Sequence, residues 1–255
     1  MNLTRVLQPA RWRLILVAAL LALAGLITVA SQSGPAHAAA AHPADDSGGG
    51  PRPSVVLVHG AWADSSSWAG VVSRLQGDGY TVYVPPNPLR GLPSDATYVA
   101  DFLQTITGPI ILAGHSYGGA VITNAATGDT QVKALVYVDA FVPDEGETLG
   151  QLAAAQPGSC LGGDPATVFN FAPYPGGPQG DVDLYVKQSL FPGCFANDLP
   201  AAQGAVLGAT QRPLAFSTLS EPSGTPAWKT IPSCLVRGTI QPLHAIDRHQ
   251  QGALR

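Results

Sequence analysis

The chain has 255 residues, enough for one sizeable domain with a well-buried core. Apolar residues make up 45% of it and charged residues 12%, about half of the usual charged share, and the formal net charge is −4. This balance excludes a disordered chain, and the scattered Lys and Arg residues argue against a nucleic-acid partner.

The N-terminal 38 residues have the pattern of a secretory signal peptide. Arg5, Arg11 and Arg13 give the N-terminal segment a positive charge, and an uncharged apolar run follows over 14–30. Ala36-His37-Ala38 then provides small residues at the cleavage positions. The run is just long enough to span a bilayer, so an uncleaved membrane anchor is the alternative. We expect cleavage and secretion, followed by a flexible linker over 39–53 that is rich in Ala, Gly and Pro.

Strands and helices are expected to alternate from residue 54 to residue 142. Strands are predicted over 54–59, 80–84, 109–113 and 132–138. Helices are predicted over 95–105, over 117–126, and after a cap at 65–67. The inward faces of the first two helices should carry Trp68, Val71, Val72 and Leu75, and then Tyr98, Val99 and Phe102. This alternation predicts βαβ units, and therefore an α/β fold with a doubly wound, mostly parallel sheet.

A serine stands between a predicted strand and a predicted helix, in the stretch Gly114-His115-Ser116-Tyr117-Gly118. Two glycines without Cβ atoms would let the strand and the helix approach closely, and the tight turn would lift the Ser116 hydroxyl above the sheet. This pattern is typical of a nucleophile elbow, so Ser116 is the candidate catalytic nucleophile.

A second loop, His59-Gly60-Ala61-Trp62, directly follows the first predicted strand. Acyl transfer requires backbone N–H groups that stabilise the developing oxyanion. We expect these donors to be the N–H of Ala61 and the N–H of Tyr117, which would together form an oxyanion hole.

Several neighbouring residues are expected to be structural. His59 should hold the glycine loop in place by hydrogen bonding, and His115 should point away from the serine. Trp68 is expected in the core, whereas Trp62 could equally line a pocket or simply pack.

The alternating pattern breaks after residue 142. Residues 143–226 are rich in Gly, Pro and Ala and are expected to form a cap, with weak helical segments over 184–190 and 201–210. A last buried strand over 231–236 would return the chain to the core, which would comprise 54–142 and 227–255.

The chain contains three cysteines. Export permits disulfides, and Cys160 and Cys194 both lie in the irregular cap region, so we expect them to form a bridge. Cys234 is expected to be a buried free thiol, and the alternative is that all three are reduced. No spacing typical of metal ligands is present, and we expect no cofactor.

Together these motifs resemble those of the α/β-hydrolase superfamily, and in particular small esterases of the methylesterase and hydroxynitrile-lyase-like branch. The resemblance is carried by four stretches: 55–68 (VVLVHGAWADSSSW), 112–122 (LAGHSYGGAVI), 134–147 (ALVYVDAFVPDEGE) and 226–234 (PAWKTIPSC). It implies a Ser, acid, His triad in that chain order, with the acid in the loop after the strand that follows the cap.

The end of the chain departs from this implied pattern. Ile240 and Gln241 stand where the acid would be expected, so the candidate acids are Asp139 and Asp247 and the candidate bases are His244 and His249. We therefore expect a C-terminally truncated chain that lacks the last helix and strand of the fold.

The sequence thus favours a secreted serine hydrolase acting on small carboxylic esters, with the missing triad members impairing its activity. The alternatives are a non-catalytic ligand-binding protein on the same fold and a hydroxynitrile-lyase-like enzyme. The expected partner is a small-molecule ester, with membrane contact only if the signal is uncleaved, and the sequence leaves the oligomeric state open.

Overall fold

The computed structural model describes residues 51–155, 159, 161–174, 177–178 and 180–237. Within them, one parallel sheet is built from five strands in the spatial order β2-β1-β3-β4-β8. The strands are β1 (Ser54–Val58), β2 (Val82–Tyr83), β3 (Ile110–Ser116), β4 (Val132–Ala140) and β8 (Ser233–Val236). The predicted fold class, a doubly wound α/β fold with a mostly parallel sheet, is confirmed.

Helices cover both faces of this sheet. A 3₁₀ turn (Ser65–Trp68) leads into α1 (Ala69–Gly77), and two further helices follow as α2 (Leu92–Leu103) and α3 (Tyr117–Ala125). Asp64, rather than the serines after it, caps the 3₁₀ turn, because its carboxylate accepts a hydrogen bond from the Ser66 N–H at 2.8 Å.

The apolar residues of the strands alternate between two clusters, one on each face of the sheet. Val56, Val58 and Leu112 pack with the buried faces of α2 and α3. Val55 and Leu57 pack on the opposite face, with Trp68 in its expected core position. Strands that are buried on both faces have continuous apolar sequences. The apolar runs in this sequence therefore predicted the strands of the parallel sheet.

Two side chains predicted to face inward do not. Tyr98 is 43% exposed and Val71 is 39% exposed. The buried apolar stripe of α2 follows Leu92, Ala96, Val99 and Leu103, and Tyr98 lies outside it because only residues three or four apart share a helix face.

The region after β4 forms a smaller unit with its own apolar cluster. It contains α4 (Leu149–Ala154), α5 (Pro165–Val168), β5 (Phe169–Ala172), β6 (Asp183–Val186), α6 (Ala201–Thr210) and β7 (Leu214–Ala215). Its three strands form an antiparallel sheet in the order β5-β6-β7. The helix predicted over 201–210 is confirmed as α6.

The helical segment predicted over 184–190 is wrong. Residues 183–186 are the central strand of the small sheet, which buries Leu184 and Val186. The Gln211 side chain also bonds both backbone groups of Val186, at 2.8 and 2.9 Å, so pairing with distant segments overrides the weak local helical pattern.

The signal peptide expected over 1–38 and most of the linker lie outside the described residues, as do residues 238–255. Among the residues that the structure describes, no helix is both long enough and apolar enough to cross a membrane.

Candidate active site

Ser116 is the last residue of β3, and α3 begins at the next residue. Its backbone has φ 52° and ψ −124°, a left-handed conformation that few residues other than glycine adopt. The Phe141 N–H donates a hydrogen bond to the Ser116 carbonyl at 3.0 Å, which holds the turn against the end of β4. The serine is partly exposed and lies at the carboxyl edge of the sheet.

Three glycines permit the tight packing around this turn. A Cβ atom at Gly114 would overlap the Gly118 carbonyl oxygen, and one at Gly118 would overlap the carbonyl oxygen of Val58. A Cβ atom at Gly119 would overlap the Phe141 carbonyl oxygen. All three obstacles are backbone atoms that cannot rotate away, so only glycine fits at these positions.

The loop after β1 lies directly against the serine. A Cβ built on Gly60 would stand 2.8 Å from the Ser116 Cβ and 3.3 Å from its Oγ. Ala61, the next residue, is 4% exposed. The backbone of Gly60 and Ala61, which carries one predicted oxyanion donor, therefore lies next to the Ser116 side chain.

His59 holds this loop in the way the sequence predicted. Its Nδ1 pairs with the Gly60 carbonyl at 2.9 Å, and its Nε2 accepts from the Asn87 N–H at 2.9 Å. The Asn87 side chain returns a bond to the His59 carbonyl at 3.0 Å. Because Nε2 accepts, Nδ1 carries the proton and the ring is neutral, and burial also lowers the pKa of His59.

Tyr117 is fixed on the other side of the serine. Its side chain is 1% exposed, and its hydroxyl donates to the Asp95 carboxylate at 2.8 Å. Asp95 also accepts from the Arg90 N–H at 3.1 Å, and it is fully buried. Burial raises the pKa of Asp95, and it raises the pKa of Tyr117 well above the ordinary range.

His115 occupies the opposite side of β3 from the apolar cluster of α3. Its ring lies edge-on to Trp68 with centroids 6.4 Å apart, among residues that cover the other face of the sheet. Burial lowers the pKa of His115, and the charge of Asp139 partly offsets this effect. This position agrees with the structural role that the sequence suggested for His115.

Asp139 lies in an irregularity of β4 beside the serine. His115 pairs with Val138 and Ser116 pairs with Ala140, so Asp139 is the extra residue of a β-bulge. Its φ of 41° is in the left-handed region. Bulges of this kind redirect side chains near active sites, and the charge of the Asp139 carboxylate acts on His115, the neighbour of Ser116.

The remaining triad candidates, Asp247, His244 and His249, lie outside the described residues. So does Cys160, and its pairing with Cys194 stays a prediction, although Cys194 is disulfide-bonded. Cys234 is free as expected, but the prediction that it is buried is wrong. It lies on β8, the last strand of the sheet in the described part of the chain, so no further strand covers its outer side there.

The described residues contain no group of three or more His, Cys, Asp or Glu side chains that could hold a metal ion. The sequence did not predict two hydrogen-bond partners that hold the site, namely Asn87, which bonds His59, and Asp95, which bonds Tyr117. Asp95 looks like an ordinary acidic residue near the start of a helix, and neither partner is close in sequence to the residue that it holds.

A serine on a strand-to-helix turn, with the loop after the first strand packed against it, is an arrangement typical of hydrolases with an α/β fold. The model of the alpha/beta hydrolase family matches residues 55–255, so the chain belongs to the alpha/beta hydrolase family.

Among known proteins, the carbendazim hydrolyzing esterase of Nocardioides sp. (strain SG-4G) is 36% identical over 107 residues. That match spans 37% of this chain and 44% of the esterase, so less than half of the relative's length is covered.

Solved structures share the fold. An extracellular alpha/beta-hydrolase from a Paenibacillus species superposes with a TM-score of 0.59 and 22% identity over 80% of this chain and 86% of that one. Polyneuridine aldehyde esterase superposes with a TM-score of 0.64 and 14% identity, again over 80% of this chain and 86% of that one.

Proposed function

We propose that this chain is a serine hydrolase that cleaves small carboxylic esters. The observation that carries the proposal is the strained turn at Ser116, with the Gly60–Ala61 loop packed against its side chain. A partly exposed serine next to buried backbone N–H groups is the arrangement that favours acyl transfer. The partial match to an esterase supports the same reaction.

In the proposed reaction, the Ser116 Oγ bonds to the ester carbonyl carbon and gives its proton to a general base. The N–H groups of Ala61 and Tyr117 stabilise the oxyanion. The tetrahedral intermediate collapses as the alcohol leaves with that proton, and water then releases the acid from the acyl-enzyme. His244 and His249 are the candidate bases, and Asp139 and Asp247 are the candidate acids.

The proposed substrate is small and uncharged. The region between α4 and β7 contains a buried apolar cluster that includes Val168, Phe169 and Leu184, and Trp62 of the loop after β1 packs against it. Apolar surroundings favour a neutral ester over a phosphate or a charged peptide, because burying an unpaired charge is costly. Secretion through the signal over residues 1–38 is part of the proposal, and one structural neighbour is described as extracellular.

A fluorophosphonate probe tests the nucleophile. If His244 or His249 serves as the base, we expect the wild-type chain to be labelled and to hydrolyse p-nitrophenyl acetate, and Ser116→Ala to lose labelling and at least about a thousandfold of the hydrolysis rate. Ser73→Ala, at an exposed serine of α1, is the matched control and should keep both. An unlabelled but folded wild-type chain would favour a ligand-binding protein without turnover.

Single substitutions then assign the base and the acid. We expect either His244→Ala or His249→Ala to slow hydrolysis as strongly as Ser116→Ala, and Asp139→Asn or Asp247→Asn to slow it less. Cleavage of a cyanohydrin that exceeds ester hydrolysis would instead indicate a hydroxynitrile-lyase-like enzyme. Full activity in all four variants would contradict the proposed triad.

A further inference from the structure

Trp62 follows the loop residue Ala61 directly, and its backbone is in the left-handed region with φ 55°. An aromatic residue rarely adopts this conformation, because its Cβ meets its own backbone. Such a conformation persists only where surrounding contacts hold it. The contacts of Trp62 therefore indicate what maintains the shape of the loop beside Ser116.

Those contacts come largely from residues 143–226, the region inserted after β4 (the inserted region). The Trp62 indole N–H donates to the Leu184 carbonyl of β6 at 2.9 Å. Its ring stacks on Phe169 of β5, with centroids 5.4 Å apart and planes 22° apart. It also meets Phe195 edge-on at 5.6 Å. Trp62 packs against both the main core cluster and the cluster of the inserted region, so it links the two.

The other end of the same loop lies on the nucleophile, since Gly60 is packed against the Ser116 side chain. Trp62, which the inserted region holds, is therefore only two peptide units from Gly60, which contacts the serine. A shift of the Trp62 backbone would rotate the peptide that carries the Ala61 N–H, because φ and ψ are the only soft backbone torsions between the two.

We infer that Trp62 is a positioning residue, through which the inserted region orients the Ala61 N–H toward the oxyanion formed at Ser116. The catalytic part of this inference rests on the proposed function. If the inference holds, substitutions in the inserted region change the rate of acyl transfer although they do not contact the reacting atoms.

The structural part is tested by hydrogen–deuterium exchange of the peptide spanning residues 59–64. Phe169→Leu removes the stacked ring and Trp62→Phe removes the N–H donor, and we expect both to speed exchange in this peptide by about tenfold. Phe171→Leu is the matched control, with the same change on the same strand at a side chain that is 45% exposed. Unchanged exchange in Phe169→Leu would overturn the inference.

The catalytic part is tested by the kinetics of fluorophosphonate labelling. We expect Trp62→Phe and Phe169→Leu each to lower the maximal labelling rate about tenfold with little change in the half-saturating probe concentration. The double variant should be close to the slower single variant, because both changes act through one side chain. A change confined to half-saturation would overturn the inference, since it would indicate a wall of the binding site.

The two measurements separate this inference from the proposed function. If the wild-type chain is not labelled at all, the proposed nucleophile fails, and the exchange experiment still decides whether the inserted region holds the loop. If labelling is efficient and unaffected by faster loop exchange, the proposed nucleophile stands and the positioning role of Trp62 is refuted.

Discussion

Four residues other than glycine have a positive φ in the described part of the chain, namely Trp62, Leu89, Ser116 and Asp139. Three of them lie together at the carboxyl edge of the sheet, in the loop after β1, the turn after β3 and the bulge of β4. Conformations of this kind cost about 1–3 kcal/mol each and concentrate at functional sites. The backbone strain at this edge of the sheet therefore supports a functional site there, and this argument does not depend on the chemistry of the side chains.

At the residue scale, glycine at position 118 should be essential. The added methyl of Gly118→Ala would overlap the Val58 carbonyl oxygen, so we expect a loss of at least about 2 kcal/mol in the free energy of unfolding. Gly70→Ala in α1 is the control, because no atom lies within 4 Å of its added methyl. It should stabilise the chain by up to about 1 kcal/mol. Urea denaturation measures both, and equal values would contradict the packing described for the turn.

His59 should make the stability depend on pH. Its pKa is lower in the folded state than in the unfolded state, so the unfolded chain binds more protons near the unfolded pKa of about 6.5. Stability should therefore be complete above that pH and fall as the pH is lowered through it. His59→Gln should flatten the slope, and His115, whose pKa is also lowered, should supply the remainder. Urea midpoints measured across this range test the expectation, and an unchanged slope in the variant would refute it.

At the scale of elements, the sequence predicted what local pattern determines. The apolar runs of the parallel strands predicted β1, β3 and β4, because strands buried on both faces need no partner to be recognised. It did not predict β6, whose burial of Leu184 and Val186 depends on pairing with β5 and β7. A strand of this kind is specified by contacts with distant residues rather than by its own composition.

The same distinction applies to the site. The glycines around Ser116 are a local signal, so the turn could be predicted from a short stretch of sequence. The contacts that position it are not local, since Trp62 and Leu184 are 122 residues apart and Asn87 and His59 are 28 apart. Only the three-dimensional structure shows that the loop after β1 is braced from two directions.

The hydrogen bond between Tyr117 and Asp95 should fasten α3 to α2. In Tyr117→Phe the buried Asp95 carboxylate loses its hydroxyl donor, so we expect a loss of about 1–3 kcal/mol in unfolding free energy. Tyr137→Phe is the control. Its hydroxyl pairs at 3.0 Å with Thr123, which also donates to the Gly119 carbonyl. That variant should lose about 1 kcal/mol or less, because no charged group loses a donor. The reverse order in thermal denaturation would contradict this account.

At the scale of the whole molecule, polar contacts as well as Trp62 join the inserted region to the parallel-sheet core. Arg90, which precedes α2, pairs with Asp183 of β6 at 2.7 Å and donates to the Pro213 carbonyl at 3.1 Å. Its guanidinium also lies 4.7 Å from the centre of the Tyr174 ring. One side chain of the core thus reaches three separate segments of the inserted region.

Replacing this link should loosen the inserted region. Arg90→Met leaves the Asp183 carboxylate, whose side chain is 11% exposed, without its cation, so we expect about 1–3 kcal/mol of destabilisation and faster proteolysis within 143–226. Lys229→Met is the control, because its pair with Asp144 has side chains 44% and 50% exposed. Exposed pairs contribute about 0–1 kcal/mol, so neither measurement should change much there. Equal proteolysis rates in the two variants would show that this ion pair does not hold the inserted region in place.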